Sequence, residues 1–164
     1  AKVQPTGLHL VAHTYDRVVS YAPKRSIKSS KAFFVASPSL DKLPADVAGY
    51  DRVLGHPLEL VLKTHPIAGL KPGSLITVQL LYQGKPLANT RISFIPRGVT
   101  LQGHFDETHE RMTDENGIAT FTPTLATIHL IVAHHEDKAA KGQGYDSTAY
   151  SATVTIHVPA IAYE

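Results

Sequence analysis

The sequence predicts an all-β protein folded as an antiparallel β-sandwich, and three observations support that fold class. Short stretches with the alternating pattern of a half-buried strand follow one another along most of the chain. Turn residues, mainly glycine, proline and asparagine, separate these stretches at the spacing of about 8 to 12 residues that is typical of sandwiches. No stretch has the apolar period of about 3.6 residues that an amphipathic helix requires. We therefore expect two packed sheets.

The first element lies in a repeated phrase. Residues 8–16 align without gaps with residues 129–137, and both copies contain Val-Ala-His-x-x-Asp. Each copy is followed by a second alternating run, at residues 31–36 and 151–158. A repeated pair of strands indicates a duplicated β module. Because only the second copy has enough chain before it for a whole module, we predict that residues 1–36 are the last two strands of an incomplete first module, completed by a missing N-terminal segment or a partner chain.

Two stretches differ from the rest in composition. Residues 17–31 are rich in basic side chains and serine and contain Pro23, which predicts an exposed basic loop. Residues 37–54 contain prolines and no sustained period, which predicts a linker. The predicted organisation is therefore a strand pair within residues 1–36, a linker over residues 37–54, and a complete sandwich over residues 55–164.

The complete module is predicted strand by strand from apolar alternation and turn signals. Its predicted strands are residues 58–62, 75–82, 90–95, 111–112, 118–121, 127–134 and 150–158. Lys71-Pro72-Gly73-Ser74 fits a type II turn, because proline fixes φ at the first central position and glycine accepts a positive φ at the second. Asn116-Gly117 predicts a tight hairpin between the fourth and fifth of these strands. Such a series is typical of an immunoglobulin-like or transthyretin-like antiparallel sandwich, and no parallel pairing is expected.

Composition excludes several functional classes. The formal net charge of the 164 residues is only +2, so no long-range field favours nucleic acid or an anionic membrane. No apolar stretch approaches the roughly 20 residues that span a bilayer. The chain has no cysteine, which excludes disulfides, thiolate metal sites and cysteine nucleophiles. Phosphate-binding glycine loops, Gly-x-Ser-x-Gly and His-Glu-x-x-His are absent from the sequence, and we expect no enzymatic activity.

Histidine is the unusual residue in this composition, and it suggests metal binding. The chain has ten histidines beside one methionine and no tryptophan. The densest cluster contains His104, Asp106 and His109, and a bent loop would bring these three side chains around one ion. Two imidazoles and a carboxylate suit nickel, copper(II) or zinc. The alternative is a solvated polar loop with no ligand.

A second candidate pair, His134 and His135, ends the strand predicted at residues 127–134. Adjacent strand residues point to opposite faces, so both bind one ion only if the strand has already ended. The pattern predicts that His134 follows Leu130 and Val132 toward the core, with His135 on the other face. The alternative for His134 is a structural histidine at the sandwich rim, and the equivalent His13 in the first copy favours it.

Several motifs in order resemble a known family. They are Gly55-His56-Pro57-Leu58-Glu59-Leu60-Val61, Leu70-Lys71-Pro72-Gly73, Gln83-Gly84-Lys85-Pro86-Leu87-Ala88, Thr113-Asp114-Glu115-Asn116-Gly117 and Tyr150-Ser151-Ala152-Thr153-Val154. Together they resemble the bacterial exported family named domain of unknown function 4198, once described as a nickel-transport component of the NikM type. The resemblance implies immunoglobulin-like modules in the periplasm or at the cell surface, without established catalytic residues and with a role in metal uptake.

Two functional hypotheses follow from the sequence. The first is a non-enzymatic extracytoplasmic sandwich that binds nickel, copper or zinc through His104, Asp106, His109, His134 and His135. The second is a structural or assembly module that docks onto a larger envelope or surface complex through an unpaired sheet edge, with no metal.

Overall fold

The computed structural model describes residues 5–39, 42–45 and 47–163, and the regular structure in these ranges is entirely β. The strands are β1 Gly7–Val19, β2 Lys24–Ala36, β3 Leu58–Leu62, β4 Ile76–Tyr82, β5 Lys85–Pro86, β6 Arg91–Pro96, β7 Glu110–Met112, β8 Ile118–Phe121, β9 Ile128–Asp137 and β10 Ser147–His157. The predicted all-β class is confirmed. Over the same ranges, no helix has the length and apolar character to cross a membrane.

The strands form two sheets. The larger has six strands in the order β1-β2-β10-β9-β6-β7, and the smaller contains β3, β4 and β5, with β8 also paired to β4. Neighbouring strands are antiparallel except β2 and β10, which are parallel. The expectation of purely antiparallel pairing is therefore wrong at this one junction. Parallel neighbours need a long connection, and here most of the chain lies between the two strands.

The core lies between the facing sheets. Phe94 from β6 stacks on Phe121 from β8 with ring centroids 4.6 Å apart. Leu80, Ile131 and Val154 are fully buried around this aromatic pair. Burial of each such side chain contributes about 1.5–3 kcal/mol, so the inward faces of both sheets supply most of the driving force.

The predicted basic loop at residues 17–31 is wrong, because most of it is strand. β1 and β2 pair over thirteen residues each, and only residues 20–23 turn between them. Two of the basic side chains form ion pairs near the turn. Arg25 lies 2.5 Å from Asp16, and Lys24 lies 2.9 Å from Glu136 on β9. Pairing with β10 satisfies the backbone of β2, which outweighs the loop-like composition.

A buried ion pair joins this hairpin to the smaller sheet. Lys31 Nζ on β2 lies 2.5 Å from Glu59 Oε1 on β3, and the two side chains are only 4% and 1% exposed. The Glu59 carboxylate also accepts the backbone N–H groups of Leu54, Gly55 and His56. The end of the predicted linker is thus fixed to the sandwich. The division of the chain into an incomplete module, a linker and a complete module stays a prediction.

The turn at residues 113–117 does not form the predicted hairpin. β7 pairs with β6 in the larger sheet, whereas β8 pairs with β4 in the smaller one. Asp114 Oδ1 accepts the N–H groups of Asn116 and Ile118, and Gly117 has a φ of 71°. The local turn chemistry is as expected, but the chain crosses between sheets there.

The turn at Lys71–Ser74 is as predicted, with Ser74 N–H donating to Lys71 O at 3.0 Å and Gly73 at a φ of 89°.

Candidate functional site

The side chains predicted as metal ligands lie in separate places. His104 is exposed on the loop before β7, whereas Asp106 is 6% exposed and faces the protein. His134 and His135 lie on β9, in another part of the sheet. Across the described ranges, no group of three or more histidine, aspartate or glutamate side chains is arranged to hold a metal ion. Of the five predicted ligands, only Asp106 and His109 come together, with His109 Nδ1 3.4 Å from Asp106 Oδ1.

The Asp106 carboxylate organises the loop before β7. Its Oδ1 accepts the N–H groups of Thr108 and His109 at 3.0 and 3.1 Å, and its Oδ2 accepts that of Gln102 at 3.3 Å. Burial acts to raise the pKa of Asp106, but these backbone hydrogen bonds outweigh burial and hold the pKa below its ordinary value. The lone pairs that a metal would need are therefore engaged by the backbone.

Two imidazole nitrogens beside this loop are buried without a hydrogen-bond partner in the described structure: His109 Nδ1 and His129 Nε2. His129 is 1% exposed, and its Nδ1 lies 3.1 Å from Thr127 O. That contact assigns the proton to Nδ1, so Nε2 carries a free lone pair. Burial lowers the pKa of His129, and the nearby His109 lowers it further against the opposing contact with Thr127. Sequence reasoning missed His129 as a candidate.

His134 and His135 face the opposite sides from those predicted. The buried residues of β9 are His129, Ile131, Val132 and Ala133, so the inward alternation leads to His135 and leaves His134 exposed on the outer face. The His135 ring packs 4.5 Å from the ring of Tyr82. The prediction failed because Ile128, Leu130 and Val132 form an apolar row on the outer face, which resembled the core face.

The aspartates that end the two repeats fix neighbouring structure. Asp137 Oδ2 accepts the Tyr82 hydroxyl at 2.7 Å, and its Oδ1 accepts the N–H of Ala139 at 2.8 Å. Burial and the Tyr150 and Asp137 side chains raise the pKa of Tyr82. In the first copy, Asp16 accepts both Nε and Nη2 of Arg25. Both aspartates therefore hold neighbouring side chains or backbone in place.

The free edge of β1 is a second feature of functional interest. β1 is the terminal strand of the larger sheet, and no other strand within the described residues pairs with its outer side. Its side chains are unusually accessible, with Val11 54%, Tyr15 41% and Val18 41% exposed. Residues 48–54 approach β1 across a depression of ≈ 360 Å³ beside Leu8 and Leu10.

A polar groove on the outer face of the larger sheet is the third feature. It has a volume of ≈ 470 Å³ and crosses β1, β2 and β10. Its lining residues are His13, Tyr15, Lys28, Ser29, Ser30, Ser151 and Thr153. Sequence analysis missed this groove because it placed Lys28 and Ser30 in a loop. The alternation of buried Ile27, Ser29 and Lys31 with more exposed neighbours is visible only in the folded sheet, because two of the three buried side chains are polar.

The fold and these features define a two-sheet β-sandwich protein whose larger sheet is extended by a long edge hairpin. The chain belongs to the family described as Domain of unknown function (DUF4198), whose model matches residues 19–137. The resemblance drawn from the motifs is thereby confirmed. Searches of curated proteins and of solved structures found no match to the chain.

Proposed function

We propose that the protein is a non-enzymatic structural module that assembles by sheet-edge pairing through β1. The observation that supports this proposal is the free edge of a strand of 13 residues. The proposal puts the module outside the cytoplasm, because the resemblance to exported bacterial proteins implies that compartment.

The two edge strands of the larger sheet, β1 and β7, differ in length, and only β1 is long enough to pair extensively with another strand. An edge strand presents unpaired N–H and C=O groups, and proteins that avoid association keep such strands short, charged or interrupted by proline. The far edge, β7, has only three residues. β1 is long, contains no proline and exposes apolar side chains along its length. It therefore has the features of a template for another strand.

A second copy of the chain is the occupant that our proposal names. Most homo-oligomers have twofold symmetry, in which the same surface serves both partners. Two β1 strands running antiparallel would pair their free backbone groups and merge the two larger sheets into one. The exposed apolar side chain of Val11 would then lie beside the side chains of the partner strand.

Substitution of Val11 by lysine tests this assembly. A charge on the edge strand opposes pairing, so we expect Val11→Lys to remove the concentration-dependent dimer that light scattering detects in the unmodified chain at about 1 mM or below. Val53→Lys is the matched control, because Val53 is 52% exposed and lies outside the sheets. A monomeric unmodified chain, or equal dimerisation of both variants, would contradict the proposal.

Metal binding is the second candidate, and the two unpartnered imidazole nitrogens favour it. His129 Nε2 has a free lone pair, and His109 lies beside it with Asp106 Oδ1 3.4 Å from its Nδ1. A rearrangement of the loop at residues 102–109 that releases the Asp106 carboxylate from its backbone hydrogen bonds would be needed to gather these donors around nickel, copper or zinc. His104, His134 and His135 have no part in this version of the site.

A thermal-melting titration with each of the three ions tests this candidate. A bound ion raises Tm by mass action, and His129→Gln should abolish the rise. His157→Gln is the matched control, since His157 is exposed on the outer face of β10. The absence of a rise in the unmodified chain, or its persistence in His129→Gln, removes the metal hypothesis.

A further inference from the structure

We propose that the groove on the outer face of the larger sheet binds an acidic saccharide. The groove is formed by two neighbouring cross-strand rows. One row runs from His13 through Ser30 to Thr153, and the other runs from Tyr15 through Lys28 and Ser151 to His134. Small hydroxyl side chains in the middle and larger side chains on β1 create the depression.

Lys28 gives the groove its preference for an anion. Its two basic neighbours on β2 are already neutralised, Lys24 by Glu136 and Arg25 by Asp16. Lys28 is exposed, and no ion pair involves it among the described residues. The next basic group on this face is Arg17, whose guanidinium interacts with the Tyr15 phenol. A carboxylate on the ligand would therefore supply the opposite charge that the Lys28 ammonium lacks.

The remaining lining suits a polyol. Ser30 and Ser151 each offer a hydroxyl that both donates and accepts, as sugar hydroxyls do, and Thr153, whose hydroxyl donates to Ser29 O, offers an acceptor. Tyr15 is 41% exposed and presents a ring edge or face beside them. The volume of ≈ 470 Å³ falls in the range of about 300–1,000 Å³ typical of small-ligand sites.

This site also accounts for the repeated Val-Ala-His-x-x-Asp phrase. Both repeat histidines face the outer side of the same sheet, His13 on β1 and His134 on β9. They lie at opposite ends of the two rows, with β2 and β10 between them. The duplication thus places one imidazole beyond each end of the hydroxyl-lined strip, and His13, which lines the groove, can donate to a bound sugar.

Titration of the full chain with trigalacturonate, followed by NMR chemical shifts, tests the proposal. We expect shifts at the amides of β1, β2 and β10 around the groove, and no comparable shifts with maltotriose, the neutral control. Lys28→Gln should weaken binding by up to roughly fivefold, as expected for an exposed charge contact. Lys85→Gln, which removes an exposed lysine from the smaller sheet, should leave the affinity unchanged.

Three results of the titration of the unmodified chain would overturn the proposal. They are no shifts with trigalacturonate, shifts centred outside these strands, and equal binding of maltotriose. Equal weakening by Lys28→Gln and Lys85→Gln would also overturn it, since only non-specific charge attraction then remains. Inorganic phosphate serves as a further probe, and phosphate binding as tight as trigalacturonate binding would show that the groove selects an anion without selecting a sugar. The result does not depend on dimerisation through β1, because the groove lies on the sheet face.

Discussion

At the residue scale, the buried pair of Lys31 and Glu59 is the most consequential contact that connects the hairpin with the smaller sheet. Burial lowers the pKa of Lys31 although Glu59 opposes this effect. Burial acts to raise the pKa of Glu59, but the N–H of Leu54 and the Lys31 ammonium outweigh it and lower that pKa. The charged form of Glu59 is therefore favoured by folding. This contribution is present above the pKa of an unfolded glutamate and is lost as pH falls through the lowered folded value.

Replacement of Lys31 by methionine should destabilise the fold strongly. The substitution leaves the Glu59 carboxylate buried without its cation, which costs about 3–5 kcal/mol of unfolding free energy. Lys24→Met is the matched control, because the Lys24–Glu136 pair is 38% and 41% exposed and an exposed pair is worth at most about 1 kcal/mol. Urea denaturation measures both. Equal losses of stability in the two variants would show that the buried pair does not anchor the hairpin.

Sequence motifs predicted some of the structure around individual residues and missed other parts of it. The motifs identified the turn at Lys71–Ser74, because proline fixes φ at the first central position and Gly73 accepts the positive φ required at the second. They did not identify the Lys31–Glu59 pair, because its partners are 28 residues apart and lie in different sheets. Likewise, the cluster of His104, Asp106 and His109 is dense in sequence, but the Asp106 carboxylate is engaged by backbone N–H groups. Spacing along a loop does not show which way its side chains turn.

At the element scale, strands with apolar alternation were predictable and strands with polar alternation were not. β3, β4 and β8 have runs of aliphatic side chains bounded by turn residues, and their predicted positions agree closely with the structure. β2 was only partly found, because Lys24, Arg25 and Lys28 suggested a loop. Its strand is stabilised by pairing with β1 and β10, a tertiary effect that local composition does not record.

Local sequence also did not show which strands flank the turn at residues 113–117 in the folded sheets. Local chemistry specified a tight reversal with Gly117 at a positive φ, and that reversal is present. A Cβ at Gly117 would lie 2.5 Å from Leu80 O, so the turn packs tightly against β4. The pairing of β7 with β6 and of β8 with β4 depends on packing within the two sheets and not on the turn. β7 and β8 therefore diverge after a reversal that would otherwise have closed a hairpin.

At the scale of the whole molecule, both candidate binding features belong to the larger sheet. The N-terminal hairpin extends that sheet beyond the smaller one, which creates both the free edge of β1 and the groove on the outer face. The composition of the chain predicted the sandwich but not this extension, because the parallel contact between β2 and β10 joins residues more than a hundred positions apart. Contacts at such separation leave no local pattern in a single sequence.

Hydrogen exchange along β1 tests the central claim that this strand is ordered on one side and free on the other. In dilute solution we expect alternate amides of residues 7–19 to be protected through β2, while the amides between them exchange rapidly. Raising the protein concentration should slow this second set as β1 strands pair. Rapid exchange of all β1 amides would show that the hairpin does not join the sheet, and protection of all of them in dilute solution would show that the edge is already covered.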